Sequence, residues 1–149
     1  MKVFLDANVI MEYLAKRLQS REASIVMRAA EQRLIVAVAS SMTMATVAYL
    51  LGTHMKRQGF YEPEKHRMVR DILNDLLQYV TVVDLSHVCL VDALRDSGFT
   101  DIEDSFQFYC ALEHNCDCFL TINVKDFPAE RGCMTVLSLG EFISRHVCL

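Results

Sequence analysis

Five short apolar runs recur along the chain, and segments with helical periodicity separate them. The strands that they predict are Lys2–Leu5, Leu34–Ala39, Val80–Val83, Cys118–Leu120 and Thr135–Leu137. These runs are apolar almost throughout instead of alternating with polar residues, which is typical of parallel strands covered on both faces. Because they alternate with helical segments, the sequence predicts an α/β fold with three layers, α/β/α, around a central and mostly parallel sheet.

Helices are predicted from apolar periodicity and from residues that favour helix ends. The predicted helices are Val9–Ala15, Glu22–Glu31 capped by Ser20, a long helix from Ser40 or Ser41 toward Gly52, Glu64–Leu77 with Pro63 at its first position, Ser86–Arg95, a helix from Thr100 to about His114, and a last helix opened by Ser138. The last two begin at sequences that match the capping box.

The size and composition of the chain suit a single domain over residues 1–149. The chain has 149 residues, of which 52% are hydrophobic and 23% are charged. A chain of this length rarely divides into two cores, and this composition excludes an intrinsically disordered protein. No apolar stretch approaches the roughly 20 residues that span a bilayer, so no membrane association is expected.

Six cysteines all lie in the second half of the chain: Cys89, Cys110, Cys116, Cys118, Cys133 and Cys148. Most of them sit in apolar runs, where a thiol behaves as a small hydrophobic group, so packing is the expected role for all six. Asp6 comes too early for the apolar region of a signal peptide, which favours reduced cysteines and a cytoplasmic protein. Cys116 and Cys118 are too close for a zinc knuckle.

Charge is distributed unevenly along the chain. The net charge of −4 argues against a broad basic surface that grips nucleic acid. Residues 1–75 have 11 basic and 8 acidic side chains, whereas residues 76–149 have 4 basic and 11 acidic ones. The candidates for binding phosphate are Lys16, Arg17, Arg21, Lys56, Arg57, Lys65, Arg67 and Arg70, although any one of them alone is more simply a solvated helix charge.

Polar residues follow two of the predicted strands. Asp6 comes directly after the first strand, and Asn123 and Asp126 come just after the fourth. Asp101 and Asp104 open the helix before that strand, three residues apart and hence on one helix face. Ligands of an open parallel sheet bind outside the carboxyl ends of its strands. If the first and fourth strands are neighbours, these residues converge, and their oxygens are ligands for Mg²⁺ or Mn²⁺.

Each of these acids also has an ordinary structural explanation. Asp6 can cap the first helix, and Asp126 can form a turn. Asp101 and Glu103 lie in a first helical turn, where the helix dipole favours acids in any case. Their shared placement at strand ends favours a site.

Three motifs resemble those of PIN-domain proteins, the fold of VapC-type toxins. They are Leu5-Asp-Ala-Asn-Val-Ile10, then Asp101-Ile-Glu-Asp104 followed by Ala111-Leu-Glu113, and finally Thr121-Ile-Asn-Val-Lys-Asp-Phe127. The resemblance implies a metal-dependent endoribonuclease. By matched position it makes Asp6, Asp104 and Asp126 the metal-binding acids and adds Asn123 to the catalytic residues. The supporting residues that it implies are Asp101, Asn8, Thr46 and Thr121.

One position departs from that family pattern. The family usually has a glutamate in the helix after the second strand, where this chain has Thr46. Threonine can hydrogen-bond a metal-bound water but cannot neutralise a cation, so we expect weaker Mg²⁺ binding. This favours an alternative function, a catalytically weak PIN-fold module that binds RNA or a protein. A third hypothesis is phosphotransfer through Asp6, as in haloacid-dehalogenase-like enzymes, but those have a second acid where this chain has Asn8.

The leading functional hypothesis is a ribonuclease that cuts single-stranded or loop RNA, because such RNA can be splayed into a pocket. The resemblance implies the toxin of a toxin–antitoxin pair, commonly a homodimer that binds an antitoxin peptide. The Lys16–Arg17 and Lys56–Arg57 pairs are the weaker candidates for contacts with the nucleic acid. No nucleophile–base pair of a serine or cysteine hydrolase and no glycine-rich phosphate loop is recognisable.

Overall fold

The computed structural model describes residues 1–147, except for the side chain of Glu130. Its elements are β1 Lys2–Leu5, α1 Ala7–Leu14, α2 Ser20–Glu31, β2 Val36–Ser40, α3 Ser41–Arg57, α4 Glu64–Leu76, β3 Val80–Val83, α5 His87–Arg95, α6 Ile102–Glu113, β4 Cys118–Leu120, a 3-10 turn Val124–Asp126, β5 Glu130–Arg131, β6 Met134–Leu137 and α7 Leu139–His146. In this part of the chain no helix is both long enough and apolar enough to cross a membrane.

The sheet has the strand order β3-β2-β1-β4-β6-β5. The first five strands in that order are parallel, and the two-residue β5 pairs antiparallel with β6. The predicted α/β fold with a mostly parallel sheet is therefore confirmed. β1 and β4 are neighbours, with Leu5 opposite Leu120. The chain segments that follow these two strands therefore leave the same edge of the sheet.

Both faces of the sheet are covered, which explains the uninterrupted apolar runs. In β1, Val3 and Leu5 belong to a core cluster shared with α1, α2, α3, α4 and α7. Phe4 points to the other face, where it packs with residues of β4 and α6. Its ring stacks on Phe119 with centroids 5.2 Å apart. Successive residues of β1 thus fill two separate cores, so both of its faces are apolar over Val3–Leu5.

Several predicted boundaries were wrong, mostly by a few residues. Ser20 is the first residue of α2 and not its cap; Gln19 occupies that position and makes no capping bond. Pro63 precedes α4 as its cap residue instead of opening the helix. Leu34 lies outside β2 and is 68% exposed. The cap of α6 is Asp101, not Thr100, because the Asp101 side chain accepts the Glu103 amide at 2.7 Å. The capping box at Ser138 is confirmed.

The cysteine prediction holds for four of the six residues. Cys89, Cys110, Cys116 and Cys118 are buried free thiols. Cys133 is an exposed free thiol, so its predicted packing role was wrong. It lies in the turn between β5 and β6, outside the apolar run that follows it. Cys148 lies outside the described residues.

Helix α3 runs past Gly52 to Arg57, five residues beyond the predicted end. Glycine weakens a helix through its backbone freedom, but Val47 and Leu51 are fully buried on the same helix and hold it against the core. A Cβ added at Gly52 would meet no atom within 4 Å. The helix therefore has room for alanine at this position.

We predict that Gly52→Ala raises the free energy of unfolding by about 0.5–1 kcal/mol, because alanine restricts the unfolded chain and fits the helix. The measurement is urea denaturation followed by circular dichroism. Gly59→Ala is the matched control. The space around Gly59 is equally open, but its φ of +92° disfavours any side chain, so this variant should lose about 1 kcal/mol or more. If both variants changed the free energy of unfolding in the same way, the backbone conformation at each glycine would not decide the outcome, and the prediction would be contradicted.

Candidate functional site

Asp6 occupies the junction between β1 and α1. Its amide donates to the Leu120 carbonyl at 3.0 Å, which continues the β1–β4 ladder by one residue. Its side chain caps α1 by accepting the Asn8 amide at 3.4 Å. The predicted capping role and the predicted place at a strand end therefore both hold for this residue. Asp6 is 1% exposed, a degree of burial that a carboxylate rarely reaches without partners.

Thr121 joins the ends of β1 and β4 through its side chain. Its hydroxyl donates to Asp6 Oδ2 at 2.8 Å and accepts the Asn123 amide at 3.1 Å. Thr121 itself is fully buried. The segment after it is fixed by Phe127, whose ring centroid lies 4.8 Å from that of Phe119. Thr121 and Phe127, the first and last residues of the Thr121–Phe127 motif, thus hold in place the turn that presents Asn123 and Asp126.

Gln107 is a site residue that the sequence analysis missed. It is 2% exposed, and its Oε1 accepts the Thr43 hydroxyl at 3.0 Å and the Ala7 amide at 3.3 Å. Gln107 follows Asp104 by three residues on α6, so the two share a helix face. That spacing was a signal available in the sequence.

The predicted site residues line one cleft of about 500 Å³. The lining residues are Asp6, Ala7, Asn8, Thr46, Leu50, Thr100, Asp101, Glu103, Asp104, Gln107, Asn123 and Asp126. Thr121 does not line the cleft but lies behind it, bonded to Asp6. The structure therefore brings together all the acids that the sequence placed at strand ends, and it adds Glu103.

The carboxylates of this cleft repel one another. The pKa of Asp104 is raised to about 7. Burial is the largest cause, and the negative charges of Asp6, Asp101, Asp126 and Glu103 add to it. Burial also raises the pKa of Asp6, although the hydrogen bond from Thr121 opposes that shift. Within residues 1–147, no lysine or arginine forms an ion pair with any of these acids. The cleft therefore concentrates negative charge that the protein does not neutralise.

Thr46 contacts the site through Glu103. Its hydroxyl donates to Glu103 Oε1 at 2.8 Å, which connects α3 with α6. The helix dipole, which is the only role that the sequence predicts for Glu103, does not account for this contact. Asp101 lines the cleft and also caps α6, the position that the sequence had assigned to Thr100.

The predicted basic residues do not reach the cleft. None of its lining residues is a lysine or arginine. Lys56 and Arg57 lie in the last turn of α3, and Lys56 is roughly 9 Å along the helix beyond Leu50, the last α3 residue that lines the cleft. Lys16 and Arg17 follow the far end of α1, whose first turn borders the site. The basic pairs thus lie beyond the parts of α1 and α3 that line the cleft.

The donor chemistry of the cleft fits a hard divalent cation, since its ligands are carboxylate and amide oxygens. In the described part of the chain, however, no three Asp, Glu, His or Cys side chains already converge closely enough to hold one ion. Mg²⁺ commonly uses only one or two carboxylates and retains several waters. The cleft is compatible with that mode of binding.

The sequence model of the PIN domain matches residues 2–125. The chain belongs to the PIN domain family. The match includes Asp6, Thr46, Asp104 and Asn123 and ends one residue before Asp126. None of the curated proteins with which the chain was compared proved similar to it.

Two solved structures share the PIN fold of this chain. One is VapBC2 from Rickettsia felis bound to a DNA fragment from its promoter, with 17% identity, a TM-score of 0.59, and coverage of 93% of this chain and 98% of that one. The other is a toxin–antitoxin complex from Klebsiella pneumoniae, with 21% identity, a TM-score of 0.60, and coverage of 92% and 97%. At these identities the likeness establishes the fold.

We predict that Asp104→Asn stabilises the protein at pH 8 and has no such effect at pH 3. The pKa of Asp104 is about 7 in the folded state and about 3.9 in an unfolded chain. The folded state therefore binds the extra proton between these values, and its stability falls as the pH rises through that window. Allowing for solvent screening of a half-buried group, we expect a gain of about 1 kcal/mol at pH 8.

Chemical denaturation of both proteins across the pH range measures this effect. Asp71→Asn, an exposed change on α4 outside the cleft, provides the control for loss of one negative charge. A gain for Asp104→Asn that persists unchanged at pH 3 would argue against charge repulsion as its cause.

Proposed function

We propose that this PIN-domain protein is a metal-dependent endoribonuclease that cuts single-stranded RNA and acts as the toxin of a toxin–antitoxin pair. The observation that carries the proposal is the cleft of unneutralised carboxylates at the carboxyl ends of β1 and β4. Without a cation these acids repel one another and also repel a phosphodiester. Family membership supports the same chemistry.

Asp6, Asp104 and Asp126 would hold Mg²⁺ or Mn²⁺, directly or through water, and Asn123 would complete the site. When bound, the metal would polarise the scissile phosphate and lower the pKa of a water molecule. The protein's own contribution is orientation. Thr121 fixes the Asp6 carboxylate by a hydrogen bond, and the Phe127 anchor fixes the turn that carries Asp126.

The helix starts favour an anionic substrate once a cation is present. α1 and α6 begin at the cleft, since Ala7 and Glu103 line it, and the N-terminal ends of helices carry partial positive charge. The volume of about 500 Å³ suits a splayed nucleotide and its flanking phosphates, which single-stranded RNA can present. Lys16, Arg17, Lys56 and Arg57 would contact only RNA that extends well beyond the cleft.

We further propose that the protein binds an antitoxin and forms a homodimer. We also propose that it is cytoplasmic and that residues 1–149 form a single domain. The two structures with this fold are described as VapBC2 and as a toxin–antitoxin complex, which supports a protein partner here. The alternative function is a catalytically weak PIN module that binds RNA or protein. Thr46 favours it, because this residue gives the cleft no charge from α3.

We predict that the protein cleaves single-stranded RNA in Mn²⁺ and that a chelator abolishes cleavage. Asp6→Asn and Asp104→Asn should each lose more activity than the roughly 10–100-fold typical of changing a partner of a metal ligand. The assay is gel analysis of an end-labelled RNA, with Asp71→Asn as the control expected to retain activity.

Equal cleavage by the wild type and both cleft variants would identify a contaminating nuclease and contradict the proposal. RNA binding without metal and without cleavage would support the alternative function.

A further inference from the structure

Glu103 is held across the cleft in a way that its position on a helix does not explain. It is the second residue of α6, where the helix dipole would favour a carboxylate pointing toward the first turn or into solvent. Instead, its Oε1 accepts the Thr46 hydroxyl at 2.8 Å, from a helix that is 57 residues away in sequence. Its side chain is half-buried and lines the cleft.

The cap of α6 does not need the Glu103 side chain. Asp101 Oδ1 already accepts the Glu103 amide at 2.7 Å. A capping box would require the Glu103 carboxylate to bond back to the cap residue, whereas the contact that it makes is with Thr46. Its orientation therefore serves the cleft and not the helix end.

The contact with Thr46 leaves acceptor positions of the Glu103 carboxylate available for a ligand. An ionised carboxylate has about four acceptor positions on two oxygens, and the hydroxyl of Thr46 occupies one of them on Oε1. Oε2 has no hydrogen bond within the described residues. The charge of Glu103 also acts on Asp6 and Asp104, since it contributes to the raised pKa of each.

We infer that Glu103 is a further carboxylate of the cation site and that Thr46 is its positioning residue. This inference rests on the metal site of the proposed function. Helix α6 then supplies the negative charge that α3 lacks at position 46, and the threonine is a part of the site. The hydrogen bond from its hydroxyl selects the rotamer in which Glu103 faces the cleft.

The direct test is titration of the protein with Mn²⁺ alone, in the absence of RNA, with free Mn²⁺ measured by electron paramagnetic resonance. Glu103→Gln keeps the shape and the Thr46 contact but removes the charge, and we expect Mn²⁺ affinity to fall about tenfold or more. Glu64→Gln is the matched control, because Glu64 also lies in a first helical turn, that of α4, but is exposed and outside the cleft. Its affinity should equal that of the wild type.

Moving the charge provides the second test. The double variant Thr46→Glu/Glu103→Gln returns a carboxylate to the cleft from α3, and we expect Mn²⁺ affinity within about threefold of the wild type. Thr46→Val, which leaves Glu103 charged but unpositioned, should give an intermediate loss. Thermal unfolding of each variant without metal verifies folding.

Mn²⁺ affinity that is unchanged in Glu103→Gln, or that the double variant does not recover, would overturn the inference. These outcomes are separable from the proposed function. Glu103-dependent Mn²⁺ binding without RNA cleavage would leave this inference standing and overturn the ribonuclease. Metal-dependent cleavage with unaltered Mn²⁺ binding in Glu103→Gln would overturn only the role of Glu103.

Discussion

The pairing of β1 with β4 is the constraint on which the candidate site depends. It continues past the strands through the Asp6 amide and the Leu120 carbonyl, and the Thr121 hydroxyl then bonds the Asp6 carboxylate. This places two chain segments more than 100 residues apart at one edge of the sheet. The protein gathers buried and half-buried carboxylates there at a cost in stability, which is the pattern expected where charge serves function.

The features that local pattern controls could be predicted from the sequence. Apolar runs such as Val3–Leu5 reflect a sheet covered on both faces. Because parallel strands have their carboxyl ends at one edge of the sheet, the acids after the first and fourth strands were expected to lie at that edge. The strand neighbours themselves were a condition of the prediction, which the β1–β4 register then satisfied. Spacing along one helix would also have identified Gln107, three residues after Asp104.

The remaining features depend on how distant elements pack. The Thr46–Glu103 contact joins α3 to α6, and no periodicity within either helix indicates it. The basic pair Lys56–Arg57 lies outside the cleft, in the last turn of α3, because the helix continues past Gly52, which the packing of Leu51 permits in spite of the glycine. The composition placed basic charge in the first half of the chain, but only the direction of the helices decides which end of them carries it.

The proposed function requires the cleft to bind a divalent cation. A crystal of the protein soaked in Mn²⁺ and measured at a wavelength where manganese scatters anomalously tests it most directly. We expect an anomalous peak in the cleft, about 2.0–2.3 Å from a carboxylate oxygen of Asp6, Asp104, Asp126 or Glu103. A well-ordered cleft without a peak, or manganese bound only elsewhere on the surface, would contradict it.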